Sequence, residues 1–451
     1  MECLVPPHMP HAYQREMSTP SKIFQLPIMF CNEAKYEECL NIMDNYETIL
    51  EDVYTKAHGG IQTLDQIGCV VGGDQLTRVR LEGAKDLRSL SLTKKDRFEH
   101  LQPVVCELWH LKVDFLEKLF KTFYKAQSGS QPGTLAYYRN ILRKTGVNGK
   151  VKSNFQAHSE FIILVTKELI GQQMEEVLEK HPGIIPSNIK EATLETKKKI
   201  MASIMDKFED KFQNSTQQQN STDDFLYNYT SQLCQWGLHY LAMDDTAKEG
   251  DITRIIPNLK RCIPFFFSHS KLSKYLVECI NYIVQYEHSS PMTKLRILEG
   301  SFVNRRGGIG KNVEADLVQE HSVRFQKELI RGLGSNKSEA AITRVTSASN
   351  LLSAVISNFD SSLNVKQKAP HHTVQTNPED TRIIRDAMET LKPMKYIPGR
   401  SCQFFHFVSP KFYISPSSIL PSITTIKKRI EYGLSLADNE EEEDEMVDGL
   451  P

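Results

Sequence analysis

Four short stretches put acids where chemistry could use them. In I-G-C-V-V-G-G-D-Q-L-T (67–77) an apolar run reads as a buried strand, two glycines release the chain, and Asp74 stands at the exit. In C-E-L-W-H-L-K-V-D (106–114) Glu107 ends a second apolar run in the same way. His110 and Asp114 follow four residues apart, on one face of the next helix. In D-L-V-Q-E-H (316–321) Asp316 and Glu320 lie one helical turn apart, shortly after the basic loop residues Arg305, Arg306 and Lys311. In G-D-I-T-R (250–254) an acid precedes Arg254.

Rigid elements that end in carboxylates can aim them into one cleft, where together they bind metal. Glycines before Asp74 would let a phosphate backbone come close, and the basic loop would grip phosphates through side chains and amides. His110 and Asp114 could share a metal, or the acid could hold the imidazole in one tautomer. Each stretch also has an ordinary reading. Asp74 can cap a helix, Glu107 can sit at a helix N-terminus, and Asp316 with Glu320 can be a solvated helix face. For G-D-I-T-R the ordinary reading, a capped turn with an ion pair, is preferred.

The elements that must position these residues follow from hydrophobic period. Helical spacing runs from Glu33 to about Lys56, and a strand covers 67–72. A short helix follows, then a strand near 103–108 and a helix over about 110–125. Helices are expected again over 134–144 and 155–180, over 225–243 and 271–287 with Pro264-Phe265-Phe266-Phe267 between them, and up to about 331. The polar run Q-N-S-T-Q-Q-Q-N-S-T-D-D (213–224) reads as a linker.

The expected organisation is therefore a disordered N-terminus (1–24), then the N-terminal part of an α/β core (25–212). The linker (213–224) leads to a helical insertion with the C-terminal part of the core (225–350). A loose C-terminal region (351–436) and an acidic disordered tail (437–451) complete the chain.

Composition excludes several classes. A 451-residue chain with 40% hydrophobic and 25% charged residues is ordinary for a soluble globular protein. A formal net charge of -1 gives no whole-chain attraction to nucleic acid, so any such surface is local. Nine cysteines without a C-x-x-C pair argue for reduced thiols in an intracellular protein. The first residues lack a secretory pattern, and no apolar run nears the roughly 20 residues of a membrane span. There is no G-x-x-x-x-G-K-[ST] phosphate loop, G-x-S-x-G elbow or H-E-x-x-H helix.

The order of the motifs carries more than any one of them. G-D-Q-L-T (73–77), L-W-H-L-K (108–112), G-T-L-A-Y-Y-R (133–139), G-D-I-T-R and G-G-I-G-K-N-V-E-A-D-L-V-Q-E-H (307–321) resemble a family labelled only as a domain of unknown function, transposon-derived in character. The resemblance spans roughly residues 30–350. It implies a helix-rich α/β fold with an RNase H-like core, a large helical insertion and further additions. It also implies Mg2+ or Mn2+ held by Asp74, Glu107 and Glu320, with His110 and Asp114 as rivals for the second position. The chemistry would be in-line phosphoryl transfer on DNA, and residence would be nuclear, otherwise cytoplasmic.

Two departures stand against this. The usual strand hairpin between the first and second acids is replaced by helix and loop, and the second acid is Glu where Asp is usual. A catalytically inactive host protein, serving as a protein- or chromatin-interaction scaffold with its acidic tail toward nuclear partners, is the alternative.

Overall fold

The computed structural model describes residues 8–218, 224–269, 273–365, 377–402 and 416–431. Fourteen helices of nine residues or more dominate it among the described residues. In chain order with the strands they are α1 (Tyr36–His58), β1 (Cys69–Gly73), α2 (Gln75–Leu87), β2 (Leu101–Cys106), α3 (Leu108–Phe123), α4 (Phe155–Lys180) and α5 (Leu194–Gln218). Then come α6 (Phe225–Glu249), α7 (Ile255–His269), α8 (Lys274–His288), α9 (Pro291–Gly300), β3 (Phe302–Val303) and β4 (Val313–Glu314). Last are α10 (Ala315–Gly332), α11 (Glu339–Ser347), α12 (Ser349–Ser362), α13 (Pro378–Leu391) and α14 (Pro416–Glu431). The protein is thus a helix-rich α/β chain.

The two apolar runs pair as a parallel ladder, with Val71 opposite Val104 and Gly73 opposite Cys106. Parallel strands need a crossover, and α2 with the loop to residue 100 supplies it. The second sheet is a small antiparallel hairpin, Phe302 opposite Glu314 and Val303 opposite Val313, whose loop is the basic glycine segment.

Around the ladder the helices bury an aromatic core. Phe115 of α3 stacks on Phe265 of α7 with ring centroids 3.9 Å apart, and Trp236 of α6 lies 4.6 Å from the same ring. Hydrophobic period places Pro264-Phe265-Phe266-Phe267 between two expected helices without assigning it; α7 runs through it. Proline costs a helix one backbone bond, and three buried phenylalanines outweigh that loss.

Other boundaries move as well. The polar stretch at 213–224 does not start as a linker, since α5 continues to Gln218; residues 219–223 lie outside the described residues. Residues 8–24, read as loose, are tied down: Ser21 N–H donates to Asn304 O at 2.7 Å, and Met17 is buried. The region 351–436 holds α13, whose Ile384 and Met388 are fully buried. Just past it, Arg400 donates to the buried carboxylate of Asp224, Nη2 to Oδ2 at 2.7 Å, and Ile397 N–H donates to the same oxygen at 2.7 Å. The acidic tail at 437–451 falls outside the described residues.

A second, smaller cluster joins α1 to the sheet. Glu47 of α1 is fully buried and its Oε2 lies 2.6 Å from His100 Nδ1; His100 Nε2 is 3.2 Å from Asp65 Oδ1. Burial opposes a charged ring here, but the bonds to both acids outweigh it and raise the His100 pKa above its ordinary 6.5. Stability from a raised histidine is complete below the unfolded value and fades as pH climbs through the folded one. Burial also raises Glu47, which works in the same direction at lower pH. The Tm of the wild type should fall between pH 6 and pH 8 more than that of His100→Gln, which differential scanning calorimetry would read directly.

Candidate functional site

The parallel register sets the site. Gly73 and Cys106 are paired, so Asp74 and Glu107, one residue further on each strand, leave the sheet side by side. The Glu107 N–H donates to Gly73 O at 2.8 Å, which extends the ladder to the acids themselves. Each acid is also the residue before a helix: Asp74 caps α2, accepting the Thr77 N–H at 2.7 Å, and Glu107 precedes α3. Short polar residues at this position satisfy otherwise unpaired helix donors.

The third arm comes from the far end of the chain. The β3–β4 hairpin delivers α10 with Asp316 in its first turn. Asp316 reaches across to α3 and accepts the N–H of Trp109 (3.1 Å) and of His110 (3.0 Å), and its Oδ2 also lies 3.0 Å from His110 Nδ1. It therefore caps α3 from another helix, the task Glu107 leaves undone. Below it, buried Lys112 pairs with Glu314 at 2.5 Å and Asp244 at 3.2 Å, fastening α3 to the hairpin and to α6. On the other side of the His110 ring, Nε2 is 3.8 Å from Glu320 Oε1.

Asp74, Glu107, Asp316 and Glu320 thus gather around His110 where the N-terminal ends of α2, α3 and α10 meet. Three helix N-termini favour negative charge. These charges crowd one another, and burial adds to the cost. Burial, then the Asp316 charge, pushes Glu107 well above the ordinary carboxylate range. Glu320 is raised by burial and by the charges of Asp74 and Asp316, against the pull of His110. For His110, burial works against the charged ring, but the Asp316 hydrogen bond and the charges of Asp316, Asp74 and Glu320 raise its pKa. Arg78, one turn into α2, is committed elsewhere: its Nη2 donates to Glu278 at 2.6 Å and its Nη1 to Glu82.

The glycines at 72 and 73 turn out to make room for protein. A Cβ on Gly72 would stand 1.7 Å from Glu107 Oε1, and one on Gly73 would stand 2.8 Å from Thr77 Cγ2. The space before Asp74 is filled by the Glu107 and Thr77 side chains, so the glycines admit the second acid across β1.

Of the expected residues, Asp74, Glu107, His110 and Glu320 come together. Asp114 does not. It lies one turn, about 6 Å, further along α3, and pairs there with Lys118 on the side facing His269. His110 turns to Asp316 and Glu320 instead. Arg305, Arg306 and Lys311 are exposed on the hairpin loop. Asp251 accepts the Thr253 hydroxyl at 2.6 Å and Arg254 Nε at 2.8 Å, a capped turn with an ion pair.

Hard oxygen donors beside one imidazole suit Mg2+ or Mn2+. The fit has one observation for it: no protein donor meets the Glu107 carboxylate among the described residues, although burial and Asp316 both disfavour its charge. It has one against: among the described residues no group of three His, Cys, Asp or Glu side chains stands ready to hold an ion. Binding would require the Glu107 and Glu320 side chains to rotate toward Asp74.

The fold and site define a helix-rich α/β protein with a carboxylate–histidine cluster at the exit of a parallel strand pair. The chain belongs to a family of unknown function, DUF6589, whose model matches residues 3–372. No curated protein and no solved structure was found to match it. None of the helices described is long and apolar enough to cross a membrane.

Proposed function

We propose that this protein carries out divalent-metal-dependent phosphoryl transfer on DNA, as a descendant of an RNase H-like transposase. The supporting observation is Glu107: a half-buried carboxylate with no protein donor among the described residues, set beside Asp74 by the strand register and in the field of the Asp316 charge. A raised carboxylate of this kind is stabilised by a proton or by a cation placed beside it. Two strands in parallel are less than an RNase H-like sheet, so the descent rests on the sequence resemblance.

In this reading Asp74, Glu107 and Glu320 are the metal-holding acids and Asp316 is a positioning residue, because its oxygens are taken by α3 and His110. When bound, Mg2+ or Mn2+ would supply Lewis-acid activation of water or a 3′-hydroxyl and charge stabilisation at the phosphate. The chain's own part is to hold the acids on rigid strand and helix ends, to leave room at Gly72 for the Glu107 side chain, and to steer Glu320 with the His110 ring. Arg305, Arg306 and Lys311 would contact the DNA backbone, and the nucleus is where such a substrate is met.

The test is cleavage or strand joining of a labelled DNA duplex by the full chain in Mn2+ or Mg2+. Activity that appears with metal, disappears with EDTA and is lost in Asp74→Asn is the expected result. No metal-dependent turnover on duplex, nicked or branched DNA would overturn it. The second reading, an inactive scaffold, is favoured by the capping roles of Asp74 and Asp316, which already give both acids a structural purpose. It predicts that Asp74→Asn leaves every cellular role intact.

A further inference from the structure

Three helices of the core bring a thiol, an imidazole and a second thiol together. Cys262 stands midway along α7, and its Sγ lies 3.3 Å from His239 Nε2 on α6. Cys279, on α8, hydrogen-bonds to the same sulfur. Both cysteines are fully buried, and His239 is nearly so. Buried polar atoms normally find partners, yet among the described residues His239 Nδ1 has none, so the ring's hydrogen bonding is committed to Cys262. Phe115 presses edge-on against the imidazole with centroids 5.4 Å apart and fixes its orientation.

The two sulfurs are unequal. Burial opposes a thiolate at Cys262, but the Cys279 hydrogen bond and the charge and hydrogen bond of His239 outweigh it and bring Cys262 below the ordinary thiol value. Cys279 goes the other way: burial, then the bond to Cys262, push it well above that value. Core cysteines are ordinarily inert. Cys234 shows the contrast, since burial alone raises it to about 12.

The pair is also within reach of a small molecule. A cavity of about 30 Å3 lies between α3, α6 and α7, lined by Leu111, Lys112, Met243, Leu259 and Phe302 among others. That is room for about two water molecules. Met243 lines it, and Met243 Sδ is 3.6 Å from Cys262 Sγ. An unbranched thioether adapts its shape easily, so it is a poor barrier to something water-sized. Hydrogen peroxide is little larger than water and uncharged, whereas a tripeptide disulfide would not enter.

We propose that Cys262 and Cys279 form a peroxide-reactive dithiol, with Cys262 the attacking sulfur, Cys279 the resolving one and His239 the positioning residue. The Cys262 thiolate attacks one oxygen of hydrogen peroxide, forming an S–O bond and breaking the O–O bond. The departing hydroxide takes the proton that Cys262 had given to His239 and leaves as water. The Cys279 sulfur then attacks the sulfenic sulfur; the S–S bond forms, the S–O bond breaks, and the Cys279 proton leaves with the hydroxyl as a second water. Both sulfurs are oxidised and both peroxide oxygens reduced. The disulfide would tie α7 to α8 beside Glu278, which accepts from Arg78 of α2 at 2.6 Å, so oxidation would be felt at the strand exits through that pair. The site does not depend on the nuclease reading.

The experiment exposes the reduced full chain to hydrogen peroxide, blocks free thiols with N-ethylmaleimide at timed intervals and maps the cysteines by mass spectrometry. A Cys262–Cys279 disulfide should appear first, ahead of any oxidation at the partly exposed Cys31 and Cys69, and dithiothreitol should reverse it. In Cys279→Ser, dimedone should label Cys262 as its sulfenic acid. In His239→Gln the rate should fall about tenfold or more, because less of the sulfur is thiolate. Each variant is checked by circular dichroism, and where one does not fold the order of reaction in the wild type decides. Oxidation of Cys31 or Cys69 before the pair, absence of the disulfide, or an unchanged rate in folded His239→Gln would overturn the proposal.

Discussion

Glu107→Gln is expected to make the protein more stable and less active at once. A half-buried carboxylate whose pKa is raised binds more protons folded than unfolded, so it costs stability as pH rises above its unfolded value of about 4.5. Glutamine has the same shape, fits the space across Gly72 and carries no charge to repel Asp316. At pH 7 the gain should be about 0.5–2 kcal/mol, the range of other removals of local strain. Metal-dependent cleavage should fall about a hundredfold or more, because a lost ligand costs at least as much as the groups behind it. Urea denaturation at pH 5 and pH 7.5 measures the first effect. The variant should gain more at the higher pH; equal or lower stability there would mean that Glu107 is neutralised by a partner within the protein.

Asp316→Ala should do the opposite. Its carboxylate satisfies two backbone N–H groups of α3 and the His110 ring, all from a buried position. Removing it leaves two buried donors and an imidazole unpaired, and opening a buried charged pair costs about 3–5 kcal/mol. Asp316→Asn keeps an acceptor and should lose markedly less. A loss of unfolding free energy, read from urea denaturation, smaller than about 1 kcal/mol for the alanine variant would show that Asp316 is not the cap that holds α3.

The contrast between these acids explains how much of the site could be read in advance. Asp74 and Glu107 were legible because each ends an apolar run, and two parallel runs in register put their next residues together. Glu320 was legible from its turn-spaced partner. Asp316, the residue that ties the groups together, was passed over because what it does is local to α3, more than 200 positions away in sequence. Lys112, Glu314 and Asp244 were invisible for the same reason: nothing in a single charged residue says that it will be buried against another. Asp114 misled because four residues share a helix face but not a height along the axis, and Lys118 was there to take it. The helices over 255–269 and 378–391 were hidden by Pro264 and by low apolar content, although Phe265 and Ile384 pack as core residues.

One earlier detail bears on how the molecule can be divided. Asp224 opens α6 from a fully buried position and is neutralised by Arg400, and α13 lays Ile384 and Met388 into the same core. The family match stops at 372, short of all three partners. A fragment cut at that border would carry a stranded carboxylate at the head of α6 and an open apolar groove along α4. Protease should therefore leave 224–230 uncut in the intact protein, while a 3–372 fragment should expose new cleavage sites there. The folded unit is longer than the stretch by which its relatives are recognised.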